Sequence, residues 1–176
     1  MAAARLSRWT AGAAALLAAA FIAALALTGE RPEAGLERFR PAGVLAGWPA
    51  EDITSVEVVA GAERRLFRRG PDGIWQADAA DTARRVETGL TLLRNAAPQR
   101  VLAADEIDKD ELAAMALDPP RLVVTARLRD RNALTIRFGD INPLGLARYA
   151  RIDNTPGVLL LPSYVAEPWE EVMKPQ

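Results

Sequence analysis

Apolar and polar residues alternate along several short stretches of the chain, which is the pattern of β-strands that bury one face. The alternation is clearest from Leu122 to Leu128 and again from Leu134 to Phe138, with the turn-forming residues 130–132 between them. These two stretches predict a β-hairpin. Shorter stretches bounded by turn-forming residues predict further strands at 53–60, 64–69, 74–77, 148–152 and 158–161.

One segment has the spacing of a helix. Apolar residues recur at steps of three or four residues from Ala83 to Ala97, opposite charged residues, and Pro98 follows. This spacing predicts one amphipathic helix that covers a face of the sheet. A further short helix is predicted within residues 163–172. The order of these elements predicts an α+β domain with a mainly antiparallel sheet.

The N-terminal segment contains no charged residue between Arg8 and Glu30. As a helix it would extend about 31 Å, close to the hydrocarbon thickness of a bilayer. Arg5 and Arg8 precede it, so the positive-inside rule places the N-terminus in the cytoplasm. The predicted fold class is therefore an N-terminal transmembrane helix followed by the α+β domain. A cleaved signal peptide, with small residues at Ala24 and Ala26, is the alternative, and it would also export the rest of the chain.

Three parts are predicted along the chain. Residues 1–29 form the anchor or signal peptide, and residues 30–49, which contain several prolines and glycines, form a linker. Residues 50–176 form one exported α+β domain. A chain of 176 residues favours a single core.

The composition excludes most common catalytic mechanisms, because the chain has no histidine and no cysteine. Ser-His-Asp and Cys-His triads, disulfides and most transition-metal sites each require one of these residues. The formal net charge of -1 gives no attraction to nucleic acid. We therefore predict no enzyme activity, no cofactor, no bound metal and no nucleic-acid partner.

Carboxylates are the remaining class of metal ligand, and the acidic stretch at residues 105–111 places several of them close together, as in a calcium loop. An EF-hand calcium loop needs oxygen ligands at alternate positions and a glycine at its sixth position. Here Leu112 and Ala113 stand where such residues would be required. The stretch instead predicts the negatively charged N-terminus of a short helix.

Four landmarks follow one another in a characteristic order. They are DGIW at 72–75, the predicted helix after Asp81, LDPP at 117–120 before a strand, and FGDINPLG at 138–145 followed by YAR at 149–151. In their order and spacing they resemble the bacterial domain-of-unknown-function family 4340 (DUF4340). The resemblance covers about residues 48–169, and it departs from the family at Ala116, where members usually have glycine.

The resemblance implies a location and a partner. Members of this family are often membrane-anchored proteins associated with ABC transport systems of the gliding-motility type. It therefore implies a single-pass protein of the bacterial inner membrane, with its C-terminal domain in the periplasm and an ABC transporter permease or another envelope protein as partner. The family has no established active site to carry over.

The favoured hypothesis for function is a non-catalytic, partner-binding module of the envelope. Its candidate partner-binding residues are Asp140 and Asn142, in the loop predicted at 139–145, and Tyr149 just after it. One alternative is ligand or glycan binding by a surface that includes Trp75, Tyr149 and the loop predicted at 139–145.

The other alternative is a hydrolase. Its nucleophile would be Ser55 or Ser163, activated by Lys109 or Lys174, or its site would be a carboxylate pair.

Overall fold

The computed structural model describes residues 18–20, 42–130 and 132–174. The chain divides into two compact units, Met1–Arg40 and Pro41–Gln176. In the first unit only residues 18–20, which are helical, are described. The predicted anchor at residues 1–29 otherwise lies outside the described residues, as does most of the predicted linker.

The second unit is built on one eight-stranded antiparallel sheet. Its strands lie in the order β3-β2-β1-β5-β6-β7-β8-β4. In chain order the strands are β1 (Ile53–Ala60), β2 (Glu63–Arg69), β3 (Trp75–Gln76), β4 (Arg100–Leu102), β5 (Leu122–Leu128), β6 (Ala133–Ile141), β7 (Ala147–Ile152) and β8 (Val158–Pro162).

Three helices accompany the sheet. They are α1 (Ala80–Asn95), α2 (Lys109–Ala114) and α3 (Glu167–Met173), and short 3-10 turns occur at Ala50–Asp52, Ala104–Glu106 and Ser163–Val165. The long helix α1 joins β3 at one edge of the sheet to β4 at the other edge.

The predicted fold class, an α+β domain behind a transmembrane helix, needs correction. The described residues form a mostly antiparallel eight-stranded sheet with few helices. None of the helices among them is long and apolar enough to cross a membrane. The prediction rested on the uncharged run of the N-terminal segment, of which the structure describes only residues 18–20.

One face of the sheet, which we call the inner face, is covered by α1 and α3. Alternate residues of the central strands point to this face because successive side chains of a strand point in opposite directions. They pack with Val86, Leu90 and Leu93 of α1 in one apolar cluster. The strand residues of the cluster include Val56, Val58, Val124, Ala126, Ile136, Phe138, Ala150, Leu159 and Leu161.

The packing of α3 depends on a glycine in the middle of α1. Trp169 of α3 is fully buried, and any Cβ at Gly89 would overlap the indole ring. Glycine weakens a helix, so its presence here is explained by the close approach of the ring. The missing side chain at Gly89 makes the space that Trp169 fills.

The segment before β1 packs on the C-terminus of α1. The Leu45 amide donates to the Leu93 carbonyl at 3.1 Å, and the Leu45 side chain is fully buried in the core. The last carbonyls of a helix have no partner within the helix, and this contact satisfies one of them. Residues 42–49, which lie in the predicted linker, therefore contribute to the core of the second unit.

We expect Gly89→Ala to destabilise the domain. Alanine improves helix propensity by about 1 kcal/mol, but the new methyl group must displace the Trp169 ring, and overpacking of this kind costs about 1–3 kcal/mol. Urea unfolding measures the net change. Gly47→Ala is the matched control, because nothing lies within 4 Å of a Cβ there. Equal stability for both variants would contradict the packing described for α3.

Candidate functional site

The loop between β6 and β7 contains Asn142, whereas Asp140 lies near the end of β6, so the loop predicted at 139–145 begins only after Ile141. The β6–β7 register shifts between Phe138 and Ile141, so β6 is irregular where it enters the loop. Here the Asp140 amide donates to the Met115 carbonyl at 2.8 Å. A Cβ on Gly139 would overlap that same carbonyl, so only glycine allows residues 115–117 to approach β6 this closely.

Asn142 closes the loop with its own side chain. Its Oδ1 accepts hydrogen bonds from the amides of Leu146 at 3.1 Å and Ala147 at 3.0 Å. Its backbone amide donates to the Ala147 carbonyl at 2.7 Å, and Gly145 turns the chain at a φ of 75°. Residues 142–147 therefore form a hydrogen-bonded loop with a defined shape.

Charged residues secure both strands at the base of the loop. On β6, the Asp140 carboxylate pairs with Arg121, whose Nε lies 2.7 Å from Oδ1. On β7, the buried Arg148 guanidinium donates to the Gly139 carbonyl at 3.1 Å and pairs with Glu170 of α3 at 2.7 Å. A buried charge is stable only when it is paired and hydrogen-bonded. Arg148 therefore connects the loop to α3.

Exposed apolar side chains lie on this loop and beside it. Leu144 is 78% exposed and Leu146 is 66% exposed, more than the other large apolar side chains in the described part of the chain. Ile141 and Tyr164 are also exposed, and the Leu146 carbonyl accepts from the amide of Ser163, next to Tyr164. We call Ile141, Leu144, Leu146 and Tyr164 the loop patch.

The structure gives the predicted site residues different positions. The side chains of Asp140 and Asn142 form hydrogen bonds or ion pairs within the domain. Tyr149 lies inside β7, half-buried, opposite Leu160 of β8. Sequence reasoning did not select Leu144 and Leu146, although two leucines in a loop of turn-forming residues were a signal that could have been used.

The residues of the hydrolase hypothesis are not joined by hydrogen bonds in the described ranges. Ser55 lies within β1, and Ser163 begins a 3-10 turn. The Lys174 ammonium pairs with Glu171, and Lys109 is the first residue of α2.

Of the two aromatic residues proposed for ligand or glycan binding, Trp75 makes its contacts within the domain. Trp75 is buried, and its Nε1 donates to Glu87 at 2.7 Å. The Arg69 guanidinium lies 4.7 Å from the centre of its ring and also pairs with Glu87. This arrangement joins β2 and β3 to α1.

The acidic stretch at 105–111 caps helices. The Asp108 side chain accepts from the amide of Glu111, and the Glu111 side chain accepts from the amide of Asp108. This reciprocal pair is a capping box at the start of α2. Across the residues the structure describes, no three acidic side chains are grouped as a metal site would require.

A polar depression of about 340 Å³ lies on the outer face of the sheet, where Leu117 and Asp118 lie near Arg137 and Arg151. Arg137 and Asp153 form a bidentate ion pair. The Nε of Arg137 lies 2.7 Å from Oδ1 of Asp153, and its Nη2 lies 3.1 Å from Oδ2. The hydrogen bond from Arg137 lowers the pKa of Asp153 below its ordinary value and raises the pKa of Arg137. The pair holds the start of the turn after β7 against β6.

Comparison with known families covers the landmarks at 117–120 and 138–145 and begins at Trp75, the last residue of the landmark at 72–75. The family model described as domain of unknown function (DUF4340) matches residues 75–171, which is more than half of the chain. The chain belongs to the DUF4340 family. The resemblance inferred from the sequence is thereby confirmed. No curated protein and no solved structure matches the chain.

The matched region of the DUF4340 domain begins at β3 and ends within α3, so it contains the whole β6–β7 loop. It also contains Ala116, where the resemblance implied glycine. Ala116 has a φ of 53°, in the left-handed region that favours glycine. The backbone therefore keeps a glycine-like conformation although the residue differs, at a cost of about 1–2 kcal/mol.

Asn142→Ala should destabilise the domain by about 1–2 kcal/mol, because the amides of Leu146 and Ala147 lose their acceptor. Thermal and urea unfolding measure the loss. Asn95→Ala, an exposed change at the end of α1, is the control and should have a much smaller effect. An unchanged stability of the Asn142 variant would show that its side chain does not hold the loop.

Acid should lower the free energy of unfolding of the domain, in part because Asp153 becomes protonated. Its pKa is lowered in the folded state, so its contribution is complete above the unfolded-state pKa of about 4 and is lost as the pH falls through the lower folded-state pKa. Asp153→Asn should therefore reduce the loss of stability between pH 6 and pH 3, as measured by urea unfolding. Asp105→Asn, at an exposed position, controls for the removal of one carboxylate. The same acid-induced loss in wild type and Asp153→Asn would refute this role.

Proposed function

We propose that the protein is a non-catalytic module that binds a protein partner through the loop patch. The observation that carries this proposal is the exposure of Leu144 and Leu146 on a loop whose shape Asn142 and Arg148 fix. Apolar side chains grouped on an otherwise polar surface are typical of interaction sites.

The energetics of the loop patch support this function. Full burial of a leucine side chain contributes about 1.5–3 kcal/mol relative to an exposed one. The loop is already ordered by hydrogen bonds, so a partner does not have to order it on binding, and the entropic cost of association is reduced. The Arg121–Asp140 pair at the base adds polar groups at the border of the patch, as in other protein interfaces.

We further propose that the partner belongs to an ABC-type transport system, with its permease or another envelope protein as the contacting subunit. Support comes from membership of the DUF4340 family, whose members are often associated with such systems. The proposed location is the bacterial inner membrane with the domain outside the cytoplasm. It is supported by membership of the same family, whose members are often membrane-anchored.

The double substitution Leu144→Ser and Leu146→Ser should lower retention of the permease by about tenfold or more, since two buried leucines would be lost from the interface. The measurement is co-purification of the full-length chain from detergent-solubilised membranes of the native host, with the permease quantified by mass spectrometry.

Val101→Ser is the matched control, because Val101 is 58% exposed and lies on β4 at the edge of the sheet. It should retain the permease as wild type does. Equal retention by the double variant and wild type, at equal melting temperature, would contradict the proposed role of the loop patch.

A further inference from the structure

The edge of the sheet at β2 is largely open. The short strand β3 pairs only with Arg68 and Arg69, through Gln76 and Trp75. Within the described part of the chain, no strand pairs with the remainder of β2 on this side. An open edge presents backbone groups that can pair with another chain.

The turn between β1 and β2 determines which backbone groups are open. Ala60 and Glu63 face each other across the two-residue turn 61–62, where Gly61 has a φ of 59°. Residues that flank such a turn form a hydrogen-bonded pair, and hydrogen-bonded pairs alternate with non-hydrogen-bonded pairs along an antiparallel ladder. Arg64 and Leu66 therefore direct their N–H and C=O groups away from β1, toward the open edge.

No described strand occupies the space beside this edge. A depression of about 440 Å³ lies there, lined by Arg65, Leu66 and Phe67 of β2, by residues 76–78, of which only Gln76 pairs with β2, and by Thr82 of α1. The Leu66 side chain is 45% exposed at its border. β3 ends at Gln76, opposite Arg68, so an added strand would lie beside residues 64–66 of β2, where β3 is absent.

The positively charged side chains of β2 favour a partner segment of opposite charge. Arg68 forms no ion pair with any described carboxylate, and neither does Arg65, which donates to the Lys174 carbonyl. Arg64 pairs with Glu57, but its side chain is 70% exposed. Pairing of β2 with a second copy of itself would bring these arginines together, and like charges on opposite strands are destabilising. Acidic side chains would instead complement them.

We propose that the open edge of β2 accepts an extended, acidic segment of a partner protein as an added strand. Its backbone pairs with Arg64 and Leu66, an apolar side chain packs on Leu66, and a carboxylate lies opposite Arg64. The inference extends the proposed function by naming a second interaction surface, and it does not depend on the loop patch.

The test uses two labelled peptides and the purified full-length chain. The acidic peptide TVTETET places valine opposite Leu66 and glutamate opposite Arg64, and TVTKTKT replaces the glutamates by lysine. Fluorescence anisotropy should give a Kd for the acidic peptide about tenfold or more below that for the lysine peptide.

Two variants locate the binding site. Leu66→Pro removes the N–H at the open edge, where proline is tolerated because this N–H does not pair with β1, and should weaken binding about tenfold. Leu66→Thr keeps the N–H and should bind much more tightly than Leu66→Pro. Arg64→Glu combined with Arg68→Glu should reverse the preference toward the lysine peptide, which gives a second readout if the proline variant folds poorly.

Three results would overturn the inference. They are no binding of either peptide, equal binding by folded Leu66→Pro and wild type, and self-association of the chain that Leu66→Pro abolishes, since this last result would make the edge a contact between copies. Any of them could occur while the Leu144 and Leu146 substitutions still reduce permease retention. Failure of this inference is therefore distinguishable from failure of the proposed function.

Discussion

The contact between Trp169 and Gly89 is the constraint on which the candidate site depends. Because α1 has no side chain at Gly89, the indole of α3 packs directly on the helix and fixes α3 over the inner face of the sheet. Glu170, the next residue, then pairs with the buried Arg148 of β7. The other side of that guanidinium donates to the Gly139 carbonyl. A packing contact in the core thus sets the position of the strand end from which the β6–β7 loop emerges.

The burial of Arg148 makes it unfavourable for α3 to move away from β7. Arg148 is buried whereas Glu170 is partly exposed, and loss of the pair would leave the buried guanidinium without its carboxylate, which is costly. A displacement of α3 would separate Glu170 from Arg148 and would therefore be opposed by that cost. The loop patch is consequently presented by a braced structure rather than by a mobile loop. Such bracing suits recognition of a partner by shape, since the binding surface exists before the partner arrives.

Most strands of the sheet can be predicted from the local pattern of apolar and polar residues, whereas the candidate site at the β6–β7 loop depends on contacts between residues far apart in the sequence. Alternation predicts the strand at 53–60 and the hairpin around residues 130–132, and helical spacing predicts α1. Strand β4 has only three residues and no clear alternation, and its pairing with β8 joins distant parts of the chain, so local pattern does not reveal it. The sequence predicts Asp140 and Asn142 in one loop, but Asp140 lies at the end of β6, and the sequence does not show that both side chains form hydrogen bonds or ion pairs within the domain. The exposure of Leu144 and Leu146 likewise depends on strand register and on α3.

The central claim is that the loop patch contacts a protein partner in the cell. Site-specific photocrosslinking from position 144 of the full-length chain in the native host tests it most directly, with position 101 of β4 as the reference for exposed apolar surface. The account predicts one discrete adduct from position 144, containing a subunit of a transport system or another envelope protein, and no such adduct from position 101. The absence of an adduct at 144, or the same pattern of adducts from both positions, would contradict it.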